Sequence, residues 1–448
     1  MGRQRLTFLS DFIEAITRRT RSGEAEALRA FSRPPLERAT VASSVLMGRI
    51  GDAARLAVAE QALSAYSELD EQDRHRFFEH LRDNYGVDAD RIHQAYAAWQ
   101  TDPDAANVAA LFRAVEPSRQ ALLRRLNLSP GATLQIVRMR QDLLNALRRD
   151  PALAPIDDDF AHLLASWFNR GFLTMRRVDW NSSAAVLERI MSYESVHKMR
   201  GWDDLKRRLA NSDRRIYAFF HPATGDEPLI FVEVALVTGI PDAIAPILTA
   251  PEQPQPVSAD TAVFYSINNC LPGLKGISFG NFLIKQVVSV LAEECPDIRT
   301  FVTLSPVPGF AAWLARQTDA PAQELTAALS SGEWHDDPQM QDRLRPTVEK
   351  MAARYIVTER NRHGQPPDPV ARFHLGNGAS AHRLNWPGDM SQQALGTSHG
   401  LMVNYLYELE KIERRHEAFV RDVEVAHGKQ LADALSRPDK PVTEEPPS

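Results

Sequence analysis

The sequence predicts an α+β protein in which an all-helical first half precedes a mixed α/β second half. In the first 175 residues, apolar residues recur at helical spacing and prolines separate the runs. After Arg176, segments rich in β-branched and aromatic residues alternate with helical patterns. We therefore expect a helical bundle at 1–175 that supports oligomerisation, a mixed α/β domain at 176–435 and a disordered tail at 436–448.

Amphipathic runs predict the helices of the first half. Their apolar residues recur every three or four positions and so share one helix face. Four runs lie at 54–69, 73–85, 89–99 and 104–115. A fifth run carries Leu134, Val137, Leu143, Leu144 and Leu147 at the same spacing. The basic segment 1–21 is expected to be an ordinary amphipathic helix, with a cleaved transit segment as the alternative.

Short apolar segments predict the strands of the second half. They lie at 215–220, 229–237, 262–267 and 298–304. A helix is expected at 279–294, and the prolines within 241–256 predict a loop. Tyr405 and Tyr407 are expected to be core aromatics of a helix that continues through 408–419. The alternative is that their hydroxyl groups donate hydrogen bonds to a ligand.

Composition excludes several classes of protein. The chain has 448 residues and a formal net charge of −6, so no basic excess points to nucleic acid as a partner. Its two cysteines, Cys270 and Cys295, do not make a disulfide framework or a zinc site, and they favour a reducing, cytoplasmic location. No window approaches about 18 consecutive apolar residues, so no membrane partner is expected.

A glycine-rich turn between a predicted strand and a predicted helix is the most informative local feature. The segment 271–281 reads LPGLKGISFGN. Free N–H groups and the dipole at a helix N-terminus favour an anionic ligand, and glycines let the ligand approach the backbone. The turn lacks the Gly-Lys-Ser/Thr ending of nucleoside triphosphate loops and the Gly-x-Gly-x-x-Gly dinucleotide pattern. The alternative is a helix start that needs glycines only for packing.

Ser305 and His374 are the candidate catalytic residues. Ser305 follows the predicted strand 298–304 and begins a turn stiffened by two prolines, so it lies at a strand end. Histidine is the usual proton carrier near neutral pH, and His374 precedes an Asn-Gly pair that predicts a tight turn. The alternatives are a turn or capping serine and a histidine that is satisfied in the core.

Five segments resemble, in order and spacing, those of the malonyl-CoA decarboxylase family. They are FYSINNCLPGLKGISFGNFLIKQVV (264–288), TLSPVPGFAAWL (303–314), ARFHLGNGA (371–379), LNWPGDMS (384–391) and GLMVNYLY (400–407). The resemblance covers most of the chain from about Arg176 and, more loosely, the helical half. It implies a helical bundle followed by a GNAT-like, acetyltransferase-type domain that binds coenzyme A (CoA).

The resemblance also implies the site. It assigns catalytic roles to Ser305 and His374, and we expect support from Asn377 and Tyr407. Animal relatives carry a glutamate where this chain has Ser278. If that glutamate assists the catalytic serine, this chain assists Ser305 in another way or the glutamate is dispensable. A homo-oligomer, either a dimer or a tetramer, is implied as well. Contacts to malonyl-CoA are implied for Lys275, Gly276, Ile277, Ser278, Phe279, Gly280 and Asn281.

The implied reaction is decarboxylation of malonyl-CoA to acetyl-CoA and CO2 through a thioester enolate. Because the thioester itself accepts the electron pair, no metal, biotin or pyridoxal cofactor is expected. We expect His374 to deliver the proton to carbon and Ser305 to orient the malonyl carboxylate or His374. Two alternatives use the same binding turn: a GNAT-type CoA-dependent acyltransferase, and a non-enzymatic protein that binds CoA thioesters.

Overall fold

The computed structural model describes residues 33–249, 258–277 and 282–438, which form two compact units. The first unit contains the described residues up to Leu173 together with two short segments from later in the chain, 221–225 and 271–277. The second unit contains the other described residues. The basic segment 1–21 and the end of the tail, from residue 439, lie outside the described ranges.

Helices make up the first unit, which confirms the prediction for the described part of this half. Their starts follow from local chemistry, because the side chains of Asp70, Asp88 and Asp104 accept hydrogen bonds from the first free N–H groups of three of them. The eight α-helices described here are α1 (Pro35–Met47), α2 (Asp52–Ser67), α3 (Glu71–Asn84), α4 (Ala89–Thr101), α5 (Ala105–Val115), α6 (Ser118–Leu126), α7 (Ala132–Ala146) and α8 (Ala154–Trp167).

The second unit is built on a mixed sheet of eight strands in the order β1-β2-β3-β4-β5-β8-β6, with β7 paired to β8. Strands β1 to β4 are antiparallel neighbours, whereas β4 and β5 run parallel. This mixed sheet confirms the strands and helices predicted for the second half of the sequence. The strands are β1 (Thr174–Val178), β2 (Arg214–Phe220), β3 (Pro228–Val237), β4 (Thr261–Asn269), β5 (Thr300–Thr303), β6 (Ser305–Pro306), β7 (Ser380–Asn385) and β8 (Met402–Leu406).

The second unit also contains helices, and apolar side chains from its strands and helices form two hydrophobic cores. One core packs Ile190 and Leu205 against Phe231, and another packs Ile247 against Val263 and Val302. The helices are α9 (Ala184–Tyr193), α10 (Trp202–Ala210), α11 (Ala245–Leu248), α12 (Phe282–Glu294), α13 (Phe310–Leu314), α14 (Ala320–Ser331), α15 (Pro338–Ala353), α16 (Pro369–Gly376), α17 (Gln392–Ser398), α18 (Ile412–Asp422) and α19 (Lys429–Ser436).

Two local predictions are corrected by the structure. The expected loop 241–256 contains the short helix α11, and its residues 250–256 lie outside the described part. Tyr405 and Tyr407 do not belong to a helix. Tyr405 lies within β8, Tyr407 directly follows it, and the next α-helix starts only at Ile412. Pairing of β8 with β7 stabilises the extended conformation of this segment and overrides the predicted helix.

Candidate active site

Ser305 is positioned by the end of the parallel strand pair. Phe264 of β4 is the register partner of Thr303 in β5, and the Leu304 N–H donates to the Phe264 carbonyl at 3.1 Å. The chain then leaves β4, and Ser305 pairs with Val403 of β8. Ser305 is buried, and its Oγ lies 2.9 Å from Thr303 Oγ1. The strand end therefore holds this hydroxyl group inside the unit, where hydrogen bonds are strong.

His374 is carried by α16, which the sequence did not reveal as a helix. The side chain of Asp368 caps this helix by accepting from the N–H groups of Val370 and Ala371 at 2.9 and 3.0 Å. An aspartate followed by proline is a recognisable helix start, so this signal was present in the sequence. His374 lies in the last turn of α16, and its imidazole Nε2 is 3.1 Å from Ser305 Oγ.

Tyr407 completes a hydrogen-bonded chain with these two residues. Its hydroxyl oxygen is 2.8 Å from His374 Nδ1. Burial raises the pKa of Tyr407 well above its usual value, so the phenol keeps its proton. Because this buried O–H needs an acceptor, we assign it as the donor to Nδ1. The imidazole proton then resides on Nε2 and faces Ser305.

The surroundings keep this imidazole neutral. His374 is 2% exposed, and burial lowers its pKa from 6.5 to about 3. Its ring stacks on Tyr405, with centroids 4.7 Å apart and planes inclined by 22°. No described residue accepts a hydrogen bond from the buried Tyr405 hydroxyl. The contact of Tyr405 with His374 is therefore one of ring packing, which fixes the plane of the imidazole.

The buried neutral imidazole predicts a pH dependence of stability. In the unfolded chain His374 has an ordinary pKa near 6.5, so acidification protonates the unfolded chain first. We expect the free energy of unfolding to fall as the pH drops from 6.5 toward about 3, more steeply in the wild type than in His374→Asn. Urea unfolding at a series of pH values measures both slopes, and equal slopes would contradict a neutral His374.

Asp368 also connects the helix of His374 to the turn after Ser305. The N–H of Gly309 lies 3.4 Å from Asp368 Oδ2, and burial raises the pKa of this carboxyl group. A side chain at Gly309 has no room, because a Cβ atom there would lie 2.2 Å from the hydroxyl oxygen of Tyr355. The turn and the start of α16 are thus fixed against each other, which fixes the separation of Ser305 and His374.

Asn377 ends the helix that carries His374. Its side-chain amide donates to the Phe373 carbonyl at 2.6 Å, and its backbone N–H also donates to Phe373, at 3.1 Å. Gly378 follows with φ +81°, where a Cβ atom would lie 2.2 Å from the Ile412 carbonyl. The Asn-Gly pair therefore serves a tight turn, as its sequence predicts. The described hydrogen bonds of Asn377 are made to the last turn of α16, so they terminate this helix.

The glycine turn lies in the first unit. Residues Pro272–Leu274 form one 3₁₀ turn, after which Lys275 and Gly276 are exposed and Ile277 is buried. Gly276 has φ +81°, a conformation that favours glycine. The other predicted contacts of this loop, Ser278, Phe279, Gly280 and Asn281, lie outside the described residues.

Family models for two protein domains match the chain. The malonyl-CoA decarboxylase N-terminal domain matches residues 85–168, and the malonyl-CoA decarboxylase C-terminal domain matches residues 171–445, more than half of the sequence. The chain belongs to the malonyl-CoA decarboxylase family. The resemblance seen in the five sequence segments is thereby confirmed. The relatives named below carry the name of a decarboxylase, which is a carboxy-lyase.

Relatives of known name and structure agree with this membership. The mitochondrial malonyl-CoA decarboxylase of Mus musculus is 35% identical over 374 residues, which cover 74% of this chain and 75% of the mouse protein. The crystal structure of malonyl-CoA decarboxylase from Rhodopseudomonas palustris has 48% identity and a TM-score of 0.86, covering 89% of this chain and 99% of that one. The structure from Agrobacterium vitis has 45% identity and a TM-score of 0.84, with coverages of 89% and 100%.

Within the described residues, one group of side chains lies close enough together to approach a metal ion. It consists of His75, Glu79 and Asp150 in the helical unit of this decarboxylase-family chain. All three are partly exposed, and Arg82 lies 3.7 Å from Asp150, where its positive charge disfavours a cation. This group carries no functional assignment. No helix in the described ranges is both long enough and apolar enough to cross a bilayer.

Proposed function

We propose that the protein decarboxylates malonyl-CoA to acetyl-CoA and CO2. The observation that carries this proposal is the chain Ser305–His374–Tyr407, joined at 3.1 and 2.8 Å, in a member of a decarboxylase family. A buried hydroxyl group, an imidazole and a phenol in series can both donate hydrogen bonds and pass a proton. A thioester enolate requires both, because its oxygen needs hydrogen bonds and its α-carbon needs a proton.

In this reaction the substrate itself accepts the electron pair of the bond that breaks. When the bond between the carboxylate and the α-carbon breaks, CO2 leaves and the electron pair becomes a thioester enolate. The enolate oxygen then needs hydrogen-bond donors, and the α-carbon needs one proton from the protein. Since the thioester is the electron acceptor, we propose that no metal, biotin or pyridoxal takes part. Activity that survives extensive dialysis against a chelator and treatment with avidin would support this.

In our proposal, a neutral imidazole supplies the proton through Ser305 and not directly to carbon, as the resemblance led us to expect. With a pKa of about 3, His374 is not an imidazolium at neutral pH. A cation is not needed, because an enolate carbon is a far stronger base than imidazole. Ser305 passes its hydroxyl proton to carbon and takes the Nε2 proton of His374. Nδ1 takes the proton of Tyr407, and solvent restores that proton once per turnover.

Replacing Tyr407 with phenylalanine tests this relay. We expect kcat to fall about 100-fold, the lower end of the contribution of a positioned proton carrier, with KM for malonyl-CoA little changed. The loss of the phenol removes the donor that places the imidazole proton on Nε2. The matched control is Tyr405→Phe, which removes an unpartnered hydroxyl two residues away and should keep kcat within about threefold. Equal kcat values for the two variants would contradict the relay.

A single assay separates the proposed function from its two alternatives. The full-length protein is given malonyl-CoA without any amine acceptor, and CO2 and acetyl-CoA are measured. Release of both in equal amounts supports decarboxylation. Product that forms only when an amine is added would favour a GNAT-type acyltransferase. Tight binding of malonyl-CoA without turnover would favour a CoA-thioester-binding protein.

We further propose that the chain is a cytoplasmic homo-oligomer, a dimer or a tetramer. The helices α4 and α5 support self-association, because α4 has no buried residue and α5 buries only Ala114. Their exposed apolar side chains include Val108 and Phe112, the latter 75% exposed. Light scattering of the purified protein measures the mass in solution, and a monomer at micromolar concentration would refute this proposal. Cell fractionation tests the location.

A further inference from the structure

Arg140 of α7 binds the backbone of the glycine turn. Its Nη1 donates to the carbonyl oxygens of Gly273 and Lys275 at 2.8 and 2.9 Å. Its Nε and Nη2 pair with the two carboxylate oxygens of Asp157 at 2.7 and 3.3 Å. Arg140 is 3% exposed, so this bidentate pair compensates its charge inside the helical unit. One guanidinium group thus joins two helices of the bundle to the turn.

Gly273 brings the turn directly against the backbone of the same helix. A Cβ atom at this position would lie 1.8 Å from the carbonyl oxygen of Val137, one turn of α7 before Arg140. Since the obstacle is backbone, no side-chain movement relieves it. Glycine is therefore required by close packing here. The sequence analysis expects the glycines of this turn to let a ligand approach the backbone. Gly273 instead allows the turn to pack against α7 of the bundle.

The contact with Arg140 determines where one N–H group of the turn points. In a trans peptide the carbonyl and the following N–H point in opposite directions. Because the Lys275 carbonyl faces Arg140, the Gly276 N–H points away from the bundle. No described residue accepts a hydrogen bond from this N–H, and Gly276 is exposed. The guanidinium charge also polarises the shared peptide group, which makes the N–H a stronger donor.

We propose that Arg140 is a positioning residue for CoA: it holds the glycine turn so that the Gly276 N–H faces the diphosphate of the CoA thioester. The inference rests on the proposed function, since it takes the bound thioester to be that of CoA. It gives the helical bundle an indirect part in substrate binding, through a residue that does not itself touch the substrate. The chemical group that the turn would recognise is an organic diphosphate.

The test compares Arg140→Lys with Arg119→Lys in the full-length protein. Lysine keeps a positive charge beside Asp157, but its single ammonium group replaces a planar guanidinium that pairs with the carboxylate through Nε and Nη2 and binds both carbonyls through Nη1. Arg119 and Asp159 form a matched control, a second buried pair in the helical unit, 2.7 Å apart, with no described hydrogen bond to the glycine turn. Each variant is assayed with malonyl-CoA and with S-malonyl-pantetheine, which lacks the diphosphate and nucleotide.

For Arg140→Lys we expect KM for malonyl-CoA to rise at least about tenfold, with kcat within about threefold. The kcat/KM for S-malonyl-pantetheine should stay within about twofold, because that substrate has no diphosphate. Arg119→Lys should leave both substrates unaffected. Three results would overturn the proposal. They are an equal loss of kcat/KM for the two substrates, an equal rise in KM for Arg119→Lys, and no change of Arg140→Lys with either substrate.

Two further measurements keep the proposal testable. If Arg140→Lys does not fold, Asp157→Asn replaces it, because releasing the guanidinium from its partner should raise KM for malonyl-CoA in the same selective way. Calorimetric titration with free CoA gives the Kd without turnover. If the wild type binds CoA but releases no CO2, the proposed function fails while the Kd values of the variants still decide the role of Arg140.

Discussion

Replacing His374 with alanine is expected to lower kcat at least about 100-fold while the Kd for CoA stays within about threefold. The imidazole carries the proton that faces Ser305, and its loss interrupts the path between Tyr407 and Ser305. The glycine turn does not involve His374, so ligand affinity has no reason to change. Steady-state release of acetyl-CoA and calorimetric titration with CoA measure the two quantities.

The control for this variant is His382→Ala. His382 is a partly buried histidine on β7, and burial lowers its pKa as well, but it makes no described hydrogen bond to Ser305, His374 or Tyr407. It should keep kcat within about threefold. Near-normal turnover of His374→Ala would remove His374 from the mechanism. A loss of CoA binding in step with kcat would show that the substitution disturbs the fold instead.

Replacing Ser305 with alanine is expected to lower kcat by about 10²–10⁴-fold, because the group proposed to pass the proton to the α-carbon is lost. The hydroxyl group donates to Thr303 Oγ1 and lies 3.1 Å from His374 Nε2, so it is held beside the imidazole that would resupply its proton. KM should change less than kcat, because the proton is transferred in the transition state and not in the substrate complex. Steady-state kinetics with malonyl-CoA measure both constants.

Ser398→Ala is the matched control for this second variant. Ser398 is also fully buried in the second unit, and its hydroxyl donates to the Ala394 carbonyl within α17 at 3.0 Å. It should retain near-normal kcat, since only a local hydrogen bond is lost. If Ser305→Ala is equally active, the serine has a structural role only. Intact mass of rapidly quenched enzyme distinguishes a covalent malonyl-serine, which would show as an acyl adduct on the wild type.

The parts of the molecule that the sequence predicts well are governed by neighbouring residues. Helix starts follow from aspartates such as Asp88 and Asp104, which cap the N–H groups three residues later. The strand 262–267 and the helix 279–294 are found close to their predicted bounds, as β4 and α12. The prediction that Ser305 begins a turn is wrong, because Ser305 and Pro306 form strand β6 and pair with β8.

The parts that the sequence does not predict depend on contacts between distant residues. Tyr407 becomes part of a strand end because β8 pairs with its neighbours, and its hydroxyl then meets His374, 33 positions away. The hydrogen bond from Arg140 to Gly273 spans 133 positions. No local pattern encodes such a pair, because an arginine on a helix is ordinarily a solvated residue. Only the packed bundle reveals that this arginine is buried and bidentate.

The close fit of Gly273 on α7 limits how this protein can be divided or shortened. A chain that begins at β1 would keep Ser305, His374 and Tyr407 but would lose Val137 and Arg140, against which the turn 271–277 is built. Such a fragment retains the residues that we propose to transfer the proton but loses the support for this turn. The boundary between the two halves of the sequence is thus not a boundary between independent modules. Ligand that binds the turn should accordingly raise the melting temperature of the helical unit, as mass action requires.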